Sequence, residues 1–94
     1  MADRNSPLAA EQRLPLGLAR KGFQGRIDAI AAGDAPSGMP APELERRLLE
    51  LGFVEGAIIE ILHEGLVGRD PIAVRVNDAT IALRRREAMA ILVT

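Results

Sequence analysis

Cysteine is absent from this 94-residue chain, as are tryptophan and tyrosine, and it carries only two phenylalanines and one histidine. Without thiols there are no disulfides, no thiolate metal centres and no cysteine nucleophile, which fits a reducing compartment. Two aromatic residues offer no platform on which successive bases stack, so nucleic-acid binding is not expected. No apolar run approaches the roughly 20 residues that cross a bilayer, and Met1–Pro7 leads into nothing like a signal peptide. A soluble, unsecreted chain without direct membrane insertion is therefore expected. Twelve basic and 13 acidic residues leave a net charge of -1, so no overall field draws the molecule to polyanions. There is no P-loop and no Gly-x-Ser-x-Gly, and a single histidine is a thin supply of bases, so the chain is not expected to be an enzyme.

What remains is a set of short periodic segments. Residues 1–15 mix charge, Ser, Asn and Pro without a period and are read as a flexible leader, and residues 16–94 as one domain. Leu16 to Lys21 is expected to form one turn over the end of the domain. From Gly22 to Ile30 polar and apolar residues alternate, the period of a half-buried strand. A Gly- and Pro-rich loop follows. Pro42 then suits the start of a helix in which Leu44, Leu48 and Leu51 share one face, and Gly52 supplies a left-handed stop with Phe53 folding back on Leu48.

After a turn at Val54–Gly56, strands are expected over Ala57–Leu62, Ile72–Val76, Ala79–Leu83 and Met89–Val93, with a charged corner at Arg84–Glu87. Asn77–Asp78 suits a two-residue hairpin turn. That loop pairs Val76 with Ala79, Val74 with Ile81 and Ile72 with Leu83, all apolar, while Arg75 meets Thr80 and Ala73 meets Ala82. A slip of one residue would bury Arg75. The inward set is Ile59, Ile61, Ile72, Val74, Ile81 and Leu83. The expected fold is mainly β, a small five-stranded closed barrel with one α-helix inserted after the first strand.

These segments, taken in order, resemble the FeoA family of bacterial ferrous iron uptake. The resemblance rests on Gly22 and Gly25-Arg26-Ile27, on Arg46-Arg47-Leu48-Leu49-Glu50-Leu51-Gly52-Phe53 with Glu55-Gly56, and on Gly68-Arg69-Asp70-Pro71-Ile72. It continues through Asn77-Asp78, Ile81-Ala82-Leu83-Arg84 and Glu87-Ala88. Two departures are the long, proline-rich loop from Ala31 to Ala41 and Glu55, where the family commonly has proline. The resemblance implies an SH3-like barrel and a non-enzymatic, cytoplasmic accessory of iron transport. Such a protein acts through protein–protein interaction with FeoB, the membrane permease with a GTP-binding domain, and is peripheral to the inner membrane through that partner. The same barrel closes iron-dependent repressors, so a freestanding metal-responsive regulatory domain is the alternative.

Candidate residues follow from charge and exposure. Leu66 and Val67 between two glycines read either as a docking knob or, the preferred reading, as a cap folded over the barrel mouth. Arg69, Arg84 and Arg85, with Arg86 beside them, suit acidic or phosphate groups on a partner, against a solvated corner as the plain reading. Arg46 and Arg47 carry the same two readings, with Glu43 as the internal ion-pair partner. His63, Glu64 and Asp70 form a weak metal-ligand set, so no resident cofactor is expected and any contact with Fe2+ or another divalent metal is transient. Weak homo-oligomers through edge strands are allowed.

Overall fold

Branched apolar residues at alternate positions build the sheet. The computed structural model describes residues 13–94. It places strands β1 (Leu14–Pro15), β2 (Gln24–Ile30), β3 (Ile58–Val67), β4 (Asp70–Val76), β5 (Ala79–Leu83) and β6 (Ile91–Val93) in one antiparallel sheet ordered β1-β6-β2-β3-β4-β5. Helix α1 (Ala41–Glu50) lies between β2 and β3, and the single turn α2 (Arg85–Ala88) between β5 and β6. β2 serves two ladders. Gln24–Arg26 pair with Glu60–Ile58, Ile27–Ile30 pair with Val93–Ile91, and a register shift at Ile27/Ala29 bends the strand between them.

The core fills the inside of this bend. Ile27, Ile59, Ile61, Ile72, Val74, Val76, Leu83, Ile91 and Val93 are buried from the strands, joined by Leu44 and Leu48 of α1, by Phe53 and by Leu16. Five of the six expected inward residues are fully covered, and Ile81 is half-buried against the same cluster. Full burial of each such side chain stabilises by about 1.5–3 kcal/mol.

Local stops act as the residue types dictate. α1 ends at Gly52 with φ of 103°, the Gly52 amide donates to Leu49 O at 3.0 Å and the Phe53 amide donates to Leu48 O at 3.0 Å, a Schellman pair. Gly56, φ 86°, lets the Ala57 amide close on Val54 O at 3.1 Å. The β4–β5 hairpin has the register expected from pattern and turn, with Asn77 alone of the turn pair in the left-handed region at φ 55°.

Four expectations are corrected. Leu14 and Pro15 are not leader, because they pair with Val93 and Leu92 and make a sixth strand; the rest of the expected leader, residues 1–12, lies outside the described residues. β3 does not stop at Leu62 but runs to Val67, since register shifts at Ile61/His63 and Glu64/Val67 carry the strand past Gly65. Arg84–Glu87 is not an open corner, because Glu87 Oε1 accepts the Arg84 amide at 3.2 Å and starts α2. β6 consequently begins at Ile91 rather than Met89.

Candidate partner-binding surface

The long β3–β4 hairpin projects the most exposed apolar side chains of the described chain. Its two-residue turn, Gly68 (φ 65°) and Arg69 (φ 57°), joins the paired residues Val67 and Asp70. Leu66 is 103% exposed and Val67 86%. The capping reading of these two residues is thereby overturned, because neither covers the barrel mouth. Leu18, 63% exposed, and Arg20 line a shallow cleft of about 210 Å3 beside the hairpin with Gly68 and Arg69 of its turn. Sequence reading missed both. The available signal was that a three-residue turn cannot bury two leucines, so once Leu16 points inward Leu18 must not.

Arg85 holds the hairpin in place from Glu64 to its turn. Its Nη2 reaches Glu64 Oε2 at 2.5 Å, Nη1 donates to Ala19 O at 2.6 Å and Gly17 O at 3.0 Å, and Nε donates to Arg69 O at 2.8 Å. The Arg85 amide also donates to Asp70 Oδ1 at 2.9 Å. One guanidinium fork thus joins β3, the hairpin turn and the segment before β2, a geometry that suits arginine and not lysine. Gly17 separately permits the α2 backbone to lie close by, since a Cβ there would be 2.4 Å from the Arg85 carbonyl oxygen. The expectation that Arg85 faces a partner is corrected, because four of its five side-chain donors are engaged inside the protein and its side chain is 18% exposed.

For Arg47 the expected internal partner is corrected, while the side chain stays 45% exposed. It pairs with the buried Glu87 and so ties α1 to α2, where Glu43 had been the expected partner. Arg46 pairs within the helix with Glu50 at 3.9 Å, both exposed, an arrangement that contributes only a few tenths of a kcal/mol. Arg69, Arg84 and Arg86 remain exposed. The metal-ligand trio is not assembled: Glu64 is held by Arg85, Asp70 by the Arg85 amide, and no group of three His, Asp or Glu able to hold an ion occurs among the described residues. A depression of about 500 Å3 beside the exposed Ile58 has its polar groups engaged with one another, Glu60 with Arg75 at 3.9 Å and with Gln24 at 3.3 Å.

Arg69 carries a local cost. A side chain in the left-handed region destabilises by about 1 kcal/mol, so Arg69→Gly is expected to raise the melting temperature by about 4–8 °C in differential scanning calorimetry. A lowered melting temperature would show instead that the Arg69 side chain stabilises the hairpin.

A family model described as the FeoA domain matches residues 14–94. The chain belongs to the FeoA family. The FeoA protein of Chlorobium tepidum is 31% identical at a TM-score of 0.69, the match covering 85% of this chain and 68% of that one. The FeoA of Stenotrophomonas maltophilia, solved with zinc and described as a prokaryotic SH3 domain protein, is 29% identical at a TM-score of 0.67, over 84% and 87% of the two chains. A manganese-dependent transcriptional repressor superposes at a TM-score of 0.71 with 23% identity, over 87% of this chain and 41% of that one, a likeness of fold alone. No curated protein matches the chain. This FeoA domain is thus a mainly β, SH3-like fold with one principal helix, and none of its described helices is long and apolar enough to cross a membrane.

Proposed function

We propose that this FeoA domain is a non-enzymatic accessory of ferrous iron uptake that docks on the cytoplasmic side of the FeoB permease and modulates its transport or GTPase activity. Leu66 carries the reading: a fully exposed leucine at the end of a hairpin clamped by Arg85, beside Val67, Leu18 and the cationic Arg69. A rigid apolar tip loses little entropy on docking, and burial of each apolar side chain in a partner contributes about 1.5–3 kcal/mol. Arg69 suits an acidic rim around that partner's pocket. The protein stays peripheral to the inner membrane through its partner.

The test is a pull-down of the cognate permease from native membranes, scored beside ferrous uptake in cells. Leu66→Asp is expected to reduce capture at least tenfold, with uptake lowered and the melting temperature unchanged, since Leu66 touches no core residue. Equal capture by both forms would remove the hairpin tip from the interface. The regulatory alternative, suggested by the repressor-like fold, requires stoichiometric divalent metal binding without permease capture, which calorimetry with Fe2+ on the same samples distinguishes.

A further inference from the structure

Among the described residues no ladder joins β1 to β5, so the expected closure of the barrel is corrected to a curled sheet with two edges, and those edges are unlike. β1 is two residues long, contains Pro15 and is flanked by the Arg13–Asp28 ion pair at 2.7 Å, all features that discourage strand addition. β5, Ala79-Thr80-Ile81-Ala82-Leu83, has β4 on one side and, among the described residues, no strand on the other, with no charge, no proline and no register shift along its length. The two-residue loop makes Val76 and Ala79 a mutually bonded pair, so Ala79, Ile81 and Leu83 bond to β4. Alternation then points the N–H and C=O groups of Thr80 and Ala82 away from the sheet. Both residues are exposed, and no turn, loop or side-chain hydrogen bond among the described residues takes those groups.

Charges occur only at the two ends of this edge, Asp78 before it and Arg84 after it. Both are exposed, and neither forms an ion pair among the described residues. We propose that β5 pairs with the β5 of a second copy of this chain, antiparallel about a two-fold axis at Ile81, with Asp78 opposite the partner's Arg84 at each end. Three registers set outward-pointing groups against each other: Thr80 on the partner's Thr80, Ala82 on the partner's Ala82, or Thr80 on the partner's Ala82. The last alone forms two mutually bonded pairs at the strand centre and matches opposite charges at both ends. Pairing Thr80 with the partner's Arg84, as the second register requires, would compete with the bond from the Arg84 amide to Glu87. The half-buried Ile81 meets the partner's Ile81 on the barrel side and is covered further.

The occupant is a copy of this chain rather than an unrelated strand because the edge complements itself in charge. A five-residue edge buries less than the roughly 1,200 Å2 of a standard stable interface, so the pair is weak and concentration-dependent. It leaves the β3–β4 tip free and is independent of the permease reading.

The cysteine-free chain permits a direct trap. Thr80→Cys and Ala82→Cys are made separately, each exposed and each checked by circular dichroism, then oxidised alone and as an equal mixture at high protein concentration. The mixture is expected to give at least five times more disulfide-linked pair than either variant alone, identified by mass as one copy of each. Adding Asp78→Arg to both is expected to reduce trapping severalfold, and adding Arg84→Asp to those chains to restore it. Equal trapping in single and mixed samples, or no restoration by the charge swap, would overturn the proposal.

Discussion

Arg85→Ala is expected to lower the stability of the domain by about 2–4 kcal/mol, the cost of breaking a buried ion pair softened by the partial exposure of both partners. The loss has a specific composition. Glu64, 17% exposed at its side chain, loses its ion-pair partner, and the carbonyls of Gly17, Ala19 and Arg69 lose their donor. In a domain of this size 1 kcal/mol corresponds to about 4–8 °C, so the melting temperature should fall by at least about 8 °C. Arg85→Lys should recover less than half of this, because a point charge cannot serve acceptors in several directions at once. Urea unfolding of the three proteins measures the differences, and a loss below 1 kcal/mol for alanine would show that water replaces the guanidinium.

Gly65→Ala is expected to cost about 3 kcal/mol or to prevent folding, the upper range for added atoms in a packed site. A Cβ at Gly65 would lie 2.1 Å from Asp70 O and 2.5 Å from its carbonyl carbon, both backbone atoms of the facing strand. No rotamer change relieves that contact. β3 or β4 must move apart exactly where the hairpin leaves the barrel, so amide hydrogen exchange should accelerate over Glu64–Ile72 before it does elsewhere. Gly33→Ala is the control, since nothing lies within 4 Å of a Cβ there, and its stability should stay within about 0.5 kcal/mol of the parent. Equal stability of Gly65→Ala and the parent would contradict the close approach of the two strands.

The contrast between Asn77–Asp78 and Gly65 shows what the amino-acid sequence discloses. At the β4–β5 hairpin, turn chemistry and apolar alternation select one register together, and the structure has it. At α1 the leucine spacing, Gly52 and Phe53 agree in the same way. Gly65 lacks such agreement: glycine reads locally as a turn, and only the approach of Asp70 from the next strand explains why β3 continues through it. Leu66 and Val67 therefore read as a loop free to fold back, whereas β3 runs past the core and leaves both of its faces in solvent there. Arg85 was hidden for a similar reason. Within Arg84-Arg85-Arg86-Glu87 nothing local separates a buried guanidinium from its exposed neighbours, and its acceptors come from positions 17, 19, 64 and 69. Two apolar residues between glycines left a docking tip and a cap both open, with the cap preferred, and nothing local disclosed the Arg85 anchor.

Whether the hairpin tip meets the permease is tested most directly by 15N-resolved NMR titration of this FeoA domain with the soluble GTP-binding region of the cognate FeoB. The amides of Leu66, Val67, Arg69 and Leu18 should shift or broaden first, while those of Ile58, Glu60 and Arg75 beside the larger depression stay in place. Saturating perturbations confined to that depression or to other surfaces, with the hairpin resonances unmoved, would contradict the account.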